Sequence, residues 1–390
     1  MEKPETNPPL LLSFAFRPLF LLVVLQALVG ISLWTAWWSG LLVIEWSVNP
    51  VYWHAQEMIS GFAGAAIGGF LLTAVATWTG RPPVRGWPLA LLCLFWFCAR
   101  LSALIPFVAA LAGVLWWLLL LLLMGRELLL ARNRRNYKLL LVLTLFMVTE
   151  SLYHYAALQG LSWQRQVVWS QMWLVLIMIN LIGGRIIPAF TRNWLLQRQI
   201  GSNDTSALPV PFGAIDVAAS VLLVAFALTS LLPGPGWLAL ATGVMAALLQ
   251  VWRLSRWQGH RTLSDPLVWM LHVAYAWLPL GLFLLACGLA GLLPVSAGLH
   301  ALTAGTIAGM IVAVSARAAL GHTSRPLQSH PLLTLSFVLL TLAAATRVLA
   351  SLIALPVLIQ GATLLWLMGF VAFGLRYGPI LLRPAVTAEK

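Results

Sequence analysis

Seven histidines and ten acidic residues carry most of the chemistry open to this sequence, because 61% of its residues are hydrophobic and only 8% are charged. Two imidazoles come with a carboxylate at helical spacing. His54-x-x-Glu57 and Glu150-x-x-x-His154 put each acid on the same helical face as its imidazole. In helical bundles such pairs supply a metal ligand together with the group that orients it. The spacing equally suits polar groups that bond water or loop backbone at a membrane surface. His300 opens one apolar run as His54 opens another, and His154 closes a third. His272 lies inside a run, His322 follows one, and His260 and His330 fall between runs. A helix from His300 to His322 is about 33 Å long, so those two cannot share a metal.

The elements that must position these side chains are membrane helices. A water-soluble fold is excluded by composition, and a β-barrel by apolar stretches that are continuous rather than alternating. Runs punctuated by Pro, Gly and charge predict twelve helices in one polytopic all-α transmembrane bundle, a single domain over 1–390. They lie near 14–38, 53–78, 87–105, 107–130, 138–158, 166–187, 212–232, 236–254, 266–291, 296–320, 332–354 and 357–380. The first run is too long for a signal peptide and follows an acidic tail, so it is expected to stay as a helix.

The net charge of +13 orients the chain rather than marking a nucleic-acid partner. With connections alternating between two sides, the cations from Lys3 to Lys390 gather on one side. Only Arg100, Arg165 and Arg347 stand opposite. The positive-inside rule then puts both termini in the cytoplasm, His54, His154 and His300 at one periplasmic level, and His272 and His322 towards the cytoplasm. The connection from about Pro188 to Pro211 is the longest and too short for a separate domain, so chemistry belongs inside the bundle.

Arginines form polar knots on the cytoplasmic side: Gly183-Gly184-Arg185 through Arg192, and Arg317 through Arg325 around His322. Fixed guanidinium forks there suit carboxylate or phosphate groups, or anchoring to anionic lipid. Stripes of small residues, Gly61, Ala65 and Gly69 after His54, and Ala301, Gly305, Gly309 and Ala313 after His300, let helices or a flat ligand approach closely. Cys93, Cys98 and Cys287 make no C-x-x-C pair, which indicates neither a disulfide framework nor covalent c-type haem attachment. Many of the 20 tryptophans sit near helix ends, as an aromatic belt requires.

Several runs together resemble the NnrS family of bacterial inner-membrane haem and copper proteins. They are Trp53-His54-Ala55-Gln56-Glu57-Met58 continuing through Gly69 to Ala74, Trp78-Thr79-Gly80-Arg81-Pro82-Pro83, Gly183 to Asn193, Leu271-His272 through Trp277, and Leu299-His300-Ala301 through Arg317 to Thr323. The resemblance implies twelve helices, b-type haem, copper, and a role in nitric oxide metabolism or nitrosative stress beside denitrification. Two positions depart from it: Gln56 stands where the family commonly has a second histidine, and Ser324 where it has glycine.

Within that resemblance the expected haem ligands are His272 and His322, with Arg185, Arg317 or Arg325 for the propionates. The expected copper site is His54, His154 and His300 with Glu57 nearby. The opposite assignment, haem on His54 or His300, remains open. Two other functions fit the sequence: a proton-coupled transporter, for which interior His and Glu residues make a relay, and a metal-delivery or assembly factor for a respiratory enzyme.

Overall fold

The structure, a computed structural model, describes residues 8–46, 48–101, 104–198 and 208–386. Lys3 and Lys390 lie outside them. Among the described residues the architecture is all-helical, as the continuous apolar runs require. The membrane helices are α1 (Phe16–Trp38), α2 (Pro50–Thr79), α3 (Trp87–Ala99), α4 (Pro106–Leu130), α5 (Lys138–Leu158), α6 (Gln164–Arg198), α7 (Ala214–Leu231), α8 (Gly236–Ser255), α9 (Pro266–Leu289), α10 (Val295–Gly321), α11 (Pro331–Ile353) and α12 (Pro356–Leu382). Eleven are long and apolar enough to cross a membrane; the twelfth, α3, is a shorter apolar helix of 13 residues.

Local chemistry sets the ends. Asn49 caps α2, its Oδ1 accepting from the backbone N–H of Val51 (3.0 Å) and Tyr52 (3.4 Å), with Pro50 at the first helical position. Gly80, left-handed at φ 69°, closes the same helix. Asp265 caps α9, and His330 caps α11 through Nδ1, each followed by proline. Two ends differ from expectation. α3 stops at Ala99 rather than near 105, and Ile105 is pushed out of the helical region by the proline that follows it, at φ −134° and ψ 75°. α6 continues past Pro188 to Arg198. Membrane helices tolerate such a proline, and three residues on, the Thr191 hydroxyl bonds its own i−4 carbonyl, that of Ile187, at 2.9 Å.

α2 and α10 are not uniform. Each contains a π-helical stretch, Glu57–Ala63 and Ala301–Ile307, whose wider turn re-aims the side chains on either side. The two stretches begin just after His54 and at the residue following His300.

The chain divides into two compact units. The first comprises the chain to Leu174, with Ala318–Pro326 and the residues from Gly374 onward; the second comprises Val175–Arg317 and Leu327–Phe373. In the first unit α2 packs on α1 and α4, and α4 on α3 and α5; in the second α9 packs on α8 and α10, and α10 on α11. Trp38 and Trp87 are exposed as belt residues would be, whereas Trp96, Trp117, Trp173 and Trp257 are core residues.

Candidate functional site

Each unit encloses its own polar centre. In the first, Glu150 of α5 is fully buried, and its Oε2 accepts from Gln56 Nε2 (2.7 Å), Ser60 Oγ (2.9 Å), Gln171 Nε2 (3.1 Å) and Trp117 Nε1 (3.3 Å). Its Oε1 lies 3.2 Å from His154 Nε2, so the i, i+4 pair read from the sequence does meet. Gly113 of α4 makes this possible, because a Cβ there would stand 2.6 Å from Glu150 Oε1. Glu57 is also buried; its Oε2 accepts from Gln26 Nε2 at 2.8 Å and from Arg100 Nη1 at 2.9 Å. The π stretch places Glu57 and Ser60 so that one meets Arg100 and the other Glu150. His54 is half-buried and stacks on Trp34, with ring centroids 4.4 Å apart at 16°.

In the second unit Arg253 of α8 is completely buried. Its Nε bonds Asp216 Oδ1 at 2.6 Å, and its Nη1 bonds Asn180 Oδ1 (2.5 Å) and the Tyr275 hydroxyl (2.8 Å). Tyr275 in turn donates to Gln250 Oε1 at 2.9 Å. Gly184 is obligatory beside this knot, since a Cβ would run into Arg253 Nη2.

One turn earlier on α9, His272 is buried with Nε2 2.8 Å from Thr191 Oγ1. The same hydroxyl lies 2.9 Å from the Ile187 carbonyl, so Nε2 of this imidazole is engaged. Nδ1 has no hydrogen-bond partner, and a Cβ on Gly259 would come within 2.6 Å of it. His300 is engaged through its other nitrogen. Its Nδ1 bonds the Ser296 carbonyl at 2.8 Å, which leaves Nε2 as the basic nitrogen.

A family model described as NnrS protein matches residues 10–385, nearly the whole chain. The chain belongs to the NnrS family. No curated protein matches it.

In this NnrS-family chain the site residues expected from sequence are distributed over the two units. His54, Glu57, His154, His322 and Arg325 belong to the first; His272, His300, Arg185 and Arg317 belong to the second. His322 is exposed with its ring 5.7 Å from Phe16, and Arg325 Nη2 reaches the Pro384 carbonyl at 3.3 Å. Arg317 lies over the Phe190 ring and donates to the Leu267 carbonyl at 3.1 Å, at the first turn of the helix that carries His272. Arg185 is exposed over Phe212. Among the described residues no three His, Cys, Asp or Glu side chains gather closely enough to hold a metal ion.

Sequence reasoning missed Gln26, Ser60, Arg100, Gly113, Trp117 and Gln171 around the two acids, and Asp216 and Arg253 as a buried pair. Gln56 was the available signal. Its amide donates to Glu150 from a position where the sequence offered no ionisable group.

Proposed function

We propose that this NnrS-family protein is a multi-pass protein of the bacterial inner membrane that binds haem b and copper and acts on nitric oxide or a related small redox species, in nitrosative stress protection or beside denitrification. The observation that carries the reading is the tautomer of His300. Metal-ligating histidines commonly donate one ring N–H to a backbone carbonyl, and the Nδ1 bond of His300 to Ser296, at the edge of a π turn, supports it as a ligand. His272 would hold a haem less readily as seated, because its Nε2 is engaged by Thr191. The haem reading therefore rests on His300 first. Bound haem iron would supply a coordination position for a diatomic ligand and one-electron exchange.

With haem on His300, the imidazoles of the first unit, His54 and His154, are the candidates for copper. Glu150 holds His154 as a carboxylate partner holds a ligating imidazole. The absorption spectrum of detergent-purified protein, with iron and copper analysis, tests both parts. His300→Ala is expected to lose or shift the Soret band and His272→Ala to retain it; an unchanged band in His300→Ala, or no haem in the parent protein, overturns the reading.

One observation favours a second function. Glu57, Arg100, Glu150 and His154 put four ionisable groups inside a membrane bundle, where such groups are costly and mark ion or proton paths. Proton-coupled flux in proteoliposomes lacking haem and copper would support transport instead.

A further inference from the structure

Where α1 ends and α2 begins, five tryptophans of the first unit touch one another in an unbroken series. Between ring centroids, Trp34 lies 5.3 Å from Trp37 and 5.7 Å from Trp38. Trp37 lies 6.3 Å from Trp38 and 5.5 Å from Trp46, and Trp46 lies 4.6 Å from Trp53. Both branches reach His54: Trp34 stacks on its ring at 4.4 Å, and Trp53 precedes it in the chain. Trp53 is 5% exposed and Trp38 53%, so the series runs from the interior beside His54 to the surface.

A membrane belt explains why indoles gather at helix ends, but it requires neither their contact with one another nor a parallel stack on an imidazole. Belt indoles also turn their N–H to the wet side, whereas Nε1 of Trp46 is buried without an acceptor. Indole is among the side chains most easily stripped of one electron. Because tunnelling falls exponentially with distance, rings in contact pass a charge in short hops faster than one long jump can. The two ends of the series also differ. An oxidised Trp46 has nothing to take its proton, so the charge is held there at high energy. Trp38, the last residue of α1, stands open beside Ser39, where interfacial water can accept the proton and lower the energy of the charge. The gradient therefore points outward.

We propose that these five indoles form an electron relay that drains oxidising equivalents from the His54 site to Trp38. The proposal rests on the reading of His54 as a metal ligand. An oxidant of the peroxide or peroxynitrite class, reacting at that site, takes one electron from Trp34. Trp38 gives one electron to Trp34 and its N–H proton to water, and a soluble donor of the thiol or ascorbate class returns one electron and one proton to Trp38. Both indoles end as they began; the oxidant has gained one electron and the donor has lost one. Trp53, Trp46 and Trp37 offer a second route to the same exit. The imidazole of His54 is thereby spared the oxidation that would destroy it as a ligand.

The test is flash photolysis of the full-length protein in nanodiscs. In a chain lacking Cys93, Cys98 and Cys287, a ruthenium polypyridyl photosensitiser is attached through Ser39→Cys, at an exposed position beside Trp38. Trp53 is replaced by hydroxytryptophan, a trap for the charge with its own radical spectrum. The trap radical is expected to form within the lifetime of the oxidised sensitiser. Its loss is expected in Trp46→Phe and, separately, in Trp37→Phe, each of which keeps an aromatic ring but removes an oxidisable link. Unfolding midpoints equal to that of the parent chain establish that the variants fold. The same trap placed at Trp34 is expected to be oxidised as well; a silent Trp34 would disconnect the relay from the His54 ring and overturn the proposal. Absence of the radical at Trp53 in the parent chain also overturns it, leaving an aromatic belt only, as does an undiminished yield in either Phe variant. Conduction is read at the trap and needs no bound metal. Iron and copper contents of the same samples are measured separately, so failure of the relay leaves the metal reading standing, and a protein without metal leaves the relay standing.

Discussion

Arg253 carries a full charge into the second unit, where Asp216, Asn180 and Tyr275 take the place of water. Such a pair adds little net stability when intact, but removing one member strands the other. Arg253→Met is therefore expected to destabilise the protein by about 3–5 kcal/mol, and the Asp216→Asn, Arg253→Met double variant by less than the single. Unfolding of detergent-purified protein, followed by tryptophan fluorescence, reads the difference; a double variant as damaged as the single would show that packing rather than charge is lost. The sequence put Arg253 among the orienting cations because it ends an apolar run beside Arg256. Nothing in spacing joins it to Asp216, 37 residues away. Glu150 and His154 were legible as a pair because an i, i+4 spacing is a local property; their further partners come from α2, α4 and α6, and only packing brings those together.

At the scale of elements, the apolar runs predicted nearly all helix positions, since in a membrane the backbone must satisfy its own hydrogen bonds and a long apolar segment has one way to do so. The π stretches were not visible, because a widened turn has the same composition as an α-helix rich in small residues. The stripe Gly61, Ala65, Gly69 reads as a surface for a neighbouring helix or a flat ligand, and Gly69 does lie against Phe20 and Leu19 of α1. Gly61, inside the π stretch, makes room for a charge instead, since a Cβ there would meet Arg100 Nη1 and stand 3.2 Å from Gln26 Cδ. The stripe after His300 does serve helix packing: Gly305 and Gly309 lie against Trp277 and Ala274 of α9. Gly61→Ala should therefore separate Arg100 from Glu57 and cost about 1–3 kcal/mol, measured as a lower unfolding midpoint. Gly125→Ala, where the nearest atom to a Cβ is 3.9 Å away, should be nearly neutral. Equal effects at the two positions would remove the π stretch's role in seating the ion pair.

For the whole molecule, the charge asymmetry and the shortness of α3 bear on the same question. The three arginines on the expected periplasmic side each have a local partner: Arg100 pairs with Glu57, Arg347 Nη1 bonds Ser351 Oγ at 2.7 Å, and Arg165 lies over the Trp169 ring. Arg100 and Arg347 are half-buried and engaged within the protein, Arg165 is exposed beside an aromatic ring, and the asymmetry of the remaining cations stays intact. α3 is the weak link. Its 13 residues rise only about 20 Å against a hydrocarbon core of about 30 Å, so the bilayer must thin beside it, or the residues between Ala99 and Pro106 must complete the crossing. Residue 45 precedes α2 and residue 134 follows α4, so they face opposite sides only if α3 crosses. In a variant lacking Cys93, Cys98 and Cys287, an impermeant maleimide added to intact cells should label cysteine introduced for Glu45 and spare cysteine introduced for Arg134. Labelling at both positions, or at neither, would mean that α3 does not cross and that the alternation fails from that point. The inverse pattern would keep the twelve crossings and reverse the molecule, carrying His54 and His154 to the cytoplasmic face.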